Sequence, residues 1–116
     1  MRNPPYSCGL DAAMDVVGGK WKALILWALA ERVHRFGELR RAIPGISDKM
    51  LSQHLRELES DGIVDRTDHD EVPPRVEYAL TEPGEALSGA LGPLAAWGER
   101  RMATLGLRED HDRPGT

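Results

Sequence analysis

At 116 residues, with 41% hydrophobic side chains, the chain has room for one modest core and none for a separate catalytic domain. A net charge of −4 argues against a nonspecific coater of nucleic acid, and a single cysteine, Cys8, excludes an internal disulfide framework and a multi-thiolate zinc site. No apolar run approaches the length of a membrane span and Met1–Tyr6 holds no apolar signal segment, so a cytoplasmic protein with no membrane partner is expected.

In chain order, residues 1–9 read as an N-terminal arm. Leu10 to Val17 is a short helix with Leu10, Met14 and Val17 on one side, ended by Gly18-Gly19. Lys20 to Glu31 is a second helix, whose inward stripe of Trp21, Leu24, Ile25, Ala28 and Leu29 is widened by Leu26 and Trp27. Gly18-Gly19-Lys20 is not a phosphate loop: Met14 occupies the place of that motif's first glycine, and Trp21 follows where Ser or Thr is needed. Arg35 to Ile43 gives a third helix, with Phe36, Leu39 and Ile43 inward and Arg40-Arg41 outward. Pro44-Gly45 supplies a tight turn into a fourth.

This fourth helix carries the strongest signal. Ser47 is its N-cap and Gly62 its left-handed stop. Leu51, Leu55 and Leu58 share one stripe, while Lys49, Ser52, Gln53 and Arg56 fall on the other side at i, i+3, i+4, i+7 spacing. Lys and Arg neutralise phosphate or bind guanine edges, Gln suits adenine, and Ser suits either backbone or base. Two short helices joined by a turn, the second carrying the donors, form a helix-turn-helix. From Arg32 to Arg56 the net charge is +4, against −8 for the remainder, so binding is confined to one surface.

After Gly62 the period becomes extended. Ile63 to Arg66 and Arg75 to Leu80 read as two strands around a loop at Asp68 to Pro74, with Val76, Tyr78 and Leu80 on the covered face. A hairpin directly after a helix-turn-helix makes a winged helix. The last helix opens at Thr81 with Glu82-Pro83 in its first turn. Its stripe of Leu87, Leu91, Leu94, Gly98, Met102 and Leu105 exceeds what a small domain must cover, which points to a subunit interface. Gly92-Pro93 is expected to interrupt and bend this helix. Residues 108–116 read as a flexible tail, leaving 10–107 as the single domain. The expected fold class is thus α+β and mostly helical: a winged helix-turn-helix with a two-stranded wing and additional N- and C-terminal dimerisation helices.

The segments Gly18-Gly19-Lys20-Trp21, Arg35-Phe36-Gly37-Glu38-Leu39-Arg40-Arg41, Ile46-Ser47-Asp48-Lys49-Met50-Leu51, Leu55 to Gly62 and Val72 to Thr81 resemble, in that order, the HxlR-type winged-helix transcriptional regulators of bacteria. The resemblance runs from Cys8 to Trp97. It implies a homodimer on an inverted-repeat double-stranded DNA operator, with the helix after Ser47 in the major groove and the hairpin as a wing. It also implies dimerisation through the first and last helices, here Leu10, Met14, Leu87, Leu91, Leu94 and Met102. Several members respond to aldehydes, quinones or oxidants through a cysteine near the N-terminus. Cys8 stands at that place, followed by Gly9 where the family usually has proline.

The candidate DNA-binding set is Arg35, Ser47, Lys49, Ser52, Gln53, Arg56, Arg66 and Arg75, with Cys8 as the redox-sensing residue. The wing tip, Asp68-His69-Asp70-Glu71, is acidic and repels phosphate, which leaves Arg66 and Arg75 as the wing's contacts. Trp21, Trp27 and Trp97 read as packing residues. His34, His54, His69 and His111 lack metal-ligand spacing, and neither a cofactor nor an enzyme constellation is apparent. A repressor is the expected form, because an operator-bound dimer obstructs polymerase. Two alternatives remain open: a winged-helix adaptor that binds protein without DNA, and a regulator controlled by a small ligand at the dimer interface.

Overall fold

The computed structural model describes residues 5–107, so the tail at 108–116, with His111, and the first four residues of the arm lie outside the described residues. Five helices and three short strands follow in the order α1 (Gly9–Val17), α2 (Lys20–Glu31), β1 (His34–Arg35), α3 (Phe36–Ala42), α4 (Asp48–Ser60), β2 (Val64–Asp68), β3 (Val76–Leu80) and α5 (Glu82–Thr104). The strands form one antiparallel sheet in the order β1-β3-β2. The fold is a winged helix: α3 and α4 form the helix-turn-helix, β2 and β3 the wing, and α1 and α5 flank them.

The core is the meeting of α2, α3 and α4 with the base of the wing. Ile25, Leu26, Leu39, Leu51, Leu55, Leu58 and Val64 are fully buried there. At about 1.5–3 kcal/mol for each large apolar side chain removed from water, the Leu51-Leu55-Leu58 stripe alone fixes which way α4 faces. The local punctuation agrees. Ser47 Oγ accepts from Met50 N at 3.1 Å, and Gly62, at φ 75°, turns the chain so that Ile63 N reaches Leu58 O at 2.9 Å.

Thr81 joins the wing to α5. Its hydroxyl donates to the Gly62 carbonyl at 2.7 Å and lies 3.1 Å from that of Ile63, and the same oxygen accepts from Gly84 N at 3.1 Å. The first turn of α5 therefore lies almost on the backbone of Ile63. A Cβ at Gly84 would sit only 2.1 Å from Ile63 O, so the approach requires glycine.

The structure departs from the sequence-based expectations in four places. The sheet has a third strand: His34 pairs with Tyr78 and Arg35 with Glu77, so Arg35 is the N-cap of α3 and not its first residue. As the middle strand, β3 is half-covered along its whole length, and the expected alternation between a covered and a free face is absent. Helix α5 runs unbroken from Glu82 to Thr104 with Pro93 inside it, so Gly92-Pro93 does not interrupt it. Finally, α2 turns Leu24 and Trp27 outward, 39% and 45% exposed, while Lys22 is buried at 5%. Trp97 is also exposed, so only Trp21 among the three tryptophans packs on the core.

Candidate nucleic-acid interface

The outward face of α4 is set by its buried leucines. Lys49, Gln53 and Arg56 are exposed and Ser52 is half-covered. Arg56 Nη1 donates to Ser52 Oγ at 2.8 Å, one turn earlier on the same helix. This contact restrains the guanidinium and leaves its other N–H groups for an acceptor, an arrangement suited to the paired acceptors of a guanine edge. Ser47 caps the helix, and the same helix start, with Lys49 in its first turn, is electrostatically suited to a phosphate.

Two cations of the neighbouring helix-turn-helix segment are tied to the scaffold. Arg35 Nη2 donates to Pro74 O in the wing loop at 3.1 Å, and Arg40 pairs with Asp48 at 3.3 Å across the helix-turn-helix. Arg35 N donates to Glu38 Oε1 at 2.8 Å. That bond, followed by the charge of Arg32, holds the Glu38 carboxyl below its ordinary range. In the wing, Arg66 is exposed on β2 opposite Tyr78. Arg75 is engaged: its Nε lies 2.8 Å from Glu71 and its Nη1 3.7 Å from Glu77, whose other oxygen lies 2.6 Å from His69 Nε2. Of the two wing arginines, Arg75 must therefore leave carboxylate partners to reach a phosphate.

One residue that supports α4 was not foreseen. Lys22, buried in α2, places its Nζ 2.7 Å from Glu57 Oε1, which also lies 3.6 Å from His54 Nδ1. The Lys22 ammonium holds the Glu57 carboxyl below its ordinary range. A buried cation needs such a partner, so the pair fixes α4 against α2. Only the position of Lys22 among apolar neighbours in a helix with almost no polar face could have suggested it.

The predicted interface residues divide into two groups. Leu87 and Leu91 pack partly against the core, and Met102 is half-covered. Leu10, Met14 and Leu94 are 71%, 50% and 63% exposed. A hollow bounded by Leu24, Trp27, Leu91 and Leu94 lies between α2 and α5. Trp27, expected from the sequence to pack, belongs with this exposed group.

Cys8 is exposed and caps α1, its carbonyl accepting from Ala12 N at 3.2 Å. Hydrogen bonds from the backbone N–H of Asp11, and then of Leu10, hold its thiol below the ordinary range. The arm is braced beside it, with Ser7 N and Oγ on Asp11 Oδ2 and Tyr6 OH on Asp15 Oδ2.

The comparisons with known proteins agree with this geometry. Residues 16–105 match the model of the HxlR-like helix-turn-helix family. The chain is 47% identical to the HTH-type transcriptional regulator YtcD of Bacillus subtilis (strain 168) over 102 residues, which cover 88% of this chain and 81% of YtcD. Among solved structures, the redox regulator HypR in its reduced form matches at 41% identity and a TM-score of 0.79, over 85% of this chain and 98% of HypR. Diamide-treated YodB from B. subtilis matches at 38% identity and a TM-score of 0.68, over 80% of this chain and 93% of YodB. A winged helix with a donor-bearing fourth helix, matched along most of its length by such regulators, makes the chain a member of the HxlR-like helix-turn-helix family of transcriptional regulators.

Proposed function

We propose that the protein is a homodimeric repressor that reads an inverted-repeat operator with Lys49, Ser52, Gln53 and Arg56, and that Cys8 makes this binding responsive to oxidants or electrophiles. The observation that carries the DNA reading is the division of α4: three leucines at 0–1% exposure on one side, and exposed Lys49, Gln53 and Arg56 on the other. Arg35, Ser47 and Arg66 serve the phosphate backbone, with Arg75 a weak contact while Glu71 and Glu77 hold it, and the operator half-sites lie about 34–36 Å apart, or at a multiple. The exposed Leu10, Met14, Leu24, Trp27, Leu94 and Trp97 support dimerisation through α1, α2 and α5. No helix among the described residues is long and apolar enough to cross a membrane, and a cytoplasmic site of action fits an operator-binding protein.

The redox reading rests on the lowered pKa and full exposure of Cys8, and on the likeness to HypR, a redox regulator by its name. With one thiol per chain, oxidation joins Cys8 to the thiol of another molecule, releasing two electrons and two protons to the oxidant. The crosslink would alter α1 and with it the spacing of the two α4 helices.

Selection of binding sites from genomic DNA, followed by titration of the selected operator, tests the proposal. Gln53→Ala and Arg56→Ala should each lose about 1–3 kcal/mol of operator specificity, or roughly 5- to 150-fold, with little change on random DNA. If both folded variants keep full operator affinity, α4 is not the reading element and the protein-adaptor alternative gains. Diamide should change the operator affinity of the wild-type protein and leave Cys8→Ser unaffected; an equal response in both removes Cys8 as the sensor.

A further inference from the structure

Trp27 also borders a groove of about 400 Å³ that runs between the second half of α2, the end of β3 and the first half of α5. Trp27 and Leu80 supply apolar walls, and Gly89 leaves the α5 side without a side chain. Two polar groups face this space. Glu85 provides the only carboxylate of the lining, and Ser88, 6% exposed, makes no hydrogen bond through its hydroxyl among the described residues. The unpartnered Ser88 hydroxyl opens onto the groove and Glu85 is exposed at its edge, so both leave acceptors open to an incoming donor.

Glu85 and Ser88 stand at i and i+3, so their side chains are neighbours on one face of α5. Both can accept hydrogen bonds, and a single ammonium group has three N–H donors to share between them. We propose that the groove is a binding site for a small organic ammonium ion: Glu85 and Ser88 hold the charged head, and Trp27 and Leu80 take an aromatic or aliphatic body. The volume lies within the range of small-molecule sites. Because Trp27 also borders the hollow beside Leu94, an occupant touches a side chain of the proposed dimer face. The binding itself does not depend on the repressor reading; only its regulatory consequence does.

The test uses the full chain and three probes of equal size, 4-phenylbutylammonium, 4-phenylbutanol and 4-phenylbutanoate, followed by ligand-observed NMR and calorimetry without DNA. The ammonium should bind with a Kd of about 1 mM or tighter, roughly fivefold or more below the alcohol, and the carboxylate should show no saturable binding. Glu85→Gln should bring the ammonium to the level of the alcohol while leaving the alcohol unchanged. Gly89→Leu should abolish binding of all probes; a Cβ there meets nothing within 4 Å and leucine favours a helix, so the variant should fold. Absence of saturable ammonium binding, equal affinity for ammonium and carboxylate, or full binding by Gly89→Leu each overturns the assignment. Since no arm contains DNA, failure here leaves the operator reading standing, and failure of the Gln53 and Arg56 variants leaves the groove untouched.

Discussion

The outward face of α4 carries Lys49, Gln53 and Arg56 above a layer of buried leucines, whereas α1, α2 and α5 leave Leu10, Met14, Trp27, Leu94 and Trp97 open to solvent. The first surface offers charge and hydrogen-bond donors with little apolar area. The second offers apolar area with few donors. Each is incomplete in its own way: the donors call for a polyanion with acceptors at fixed spacing, and the apolar side chains call for another apolar surface. The two faces are joined through α2, which buries Lys22 beneath α4 and presents Trp27 on the other surface.

The largest expected effect comes from breaking the joint that holds both faces in one frame. Gly84→Val places a branched side chain against Ile63 O, and the variant should lose about 3 kcal/mol or more of stability in urea unfolding. Retention of wild-type stability would mean that α5 can lift from Ile63 freely. Next, Leu94→Asp adds charge to the apolar face and should weaken self-association roughly 100-fold in sedimentation while leaving the fold intact. A wild-type protein that sediments as a monomer would remove the second half of the comparison.

A smaller effect is expected at the Lys22-Glu57 pair. Glu57→Gln should cost about 1–3 kcal/mol, below the range for a fully buried pair because the Glu57 side chain is 37% exposed and partly screened. The folded-state pKa of Glu57 is depressed, so its contribution is present above the ordinary carboxylate range and is lost as pH falls through the folded value. Stability measured against pH should therefore decline less on the acid side in Glu57→Gln than in the wild-type protein. The smallest effect belongs to the wing. Arg75→Ala should change operator affinity less than about threefold, since Arg75 is held by Glu71 and Glu77. A large loss would show that DNA displaces those carboxylates.

The α4 helix is readable because its information is local: a capping serine, leucines in a helical stripe and a terminal glycine lie within sixteen residues. The family pattern extended that reading to the whole winged helix. Strand β1 was not readable, since two residues carry no period and exist as a strand only through pairing with Tyr78 and Glu77, more than forty residues away. The continuity of α5 was misread at Pro93 because proline removes one helical N–H without deciding whether neighbouring turns hold the rest. Trp27 was misplaced for a different reason. In a helix apolar nearly all round, the period no longer separates the side that meets this chain's core from the side left open. The Lys22-Glu57 pair spans two helices, and no spacing rule joins them.

The Thr81 hydroxyl, shared between the Gly62 carbonyl and the Gly84 amide, gives the fold a pivot at the root of a long lever. With 23 residues, α5 extends about 34 Å from that point. A tilt of about 5° there would swing its far end by about 3 Å, close to the rise of one base pair. The angular stiffness of a single threonine-glycine contact thus bears on the register that two copies joined along this helix could keep on DNA.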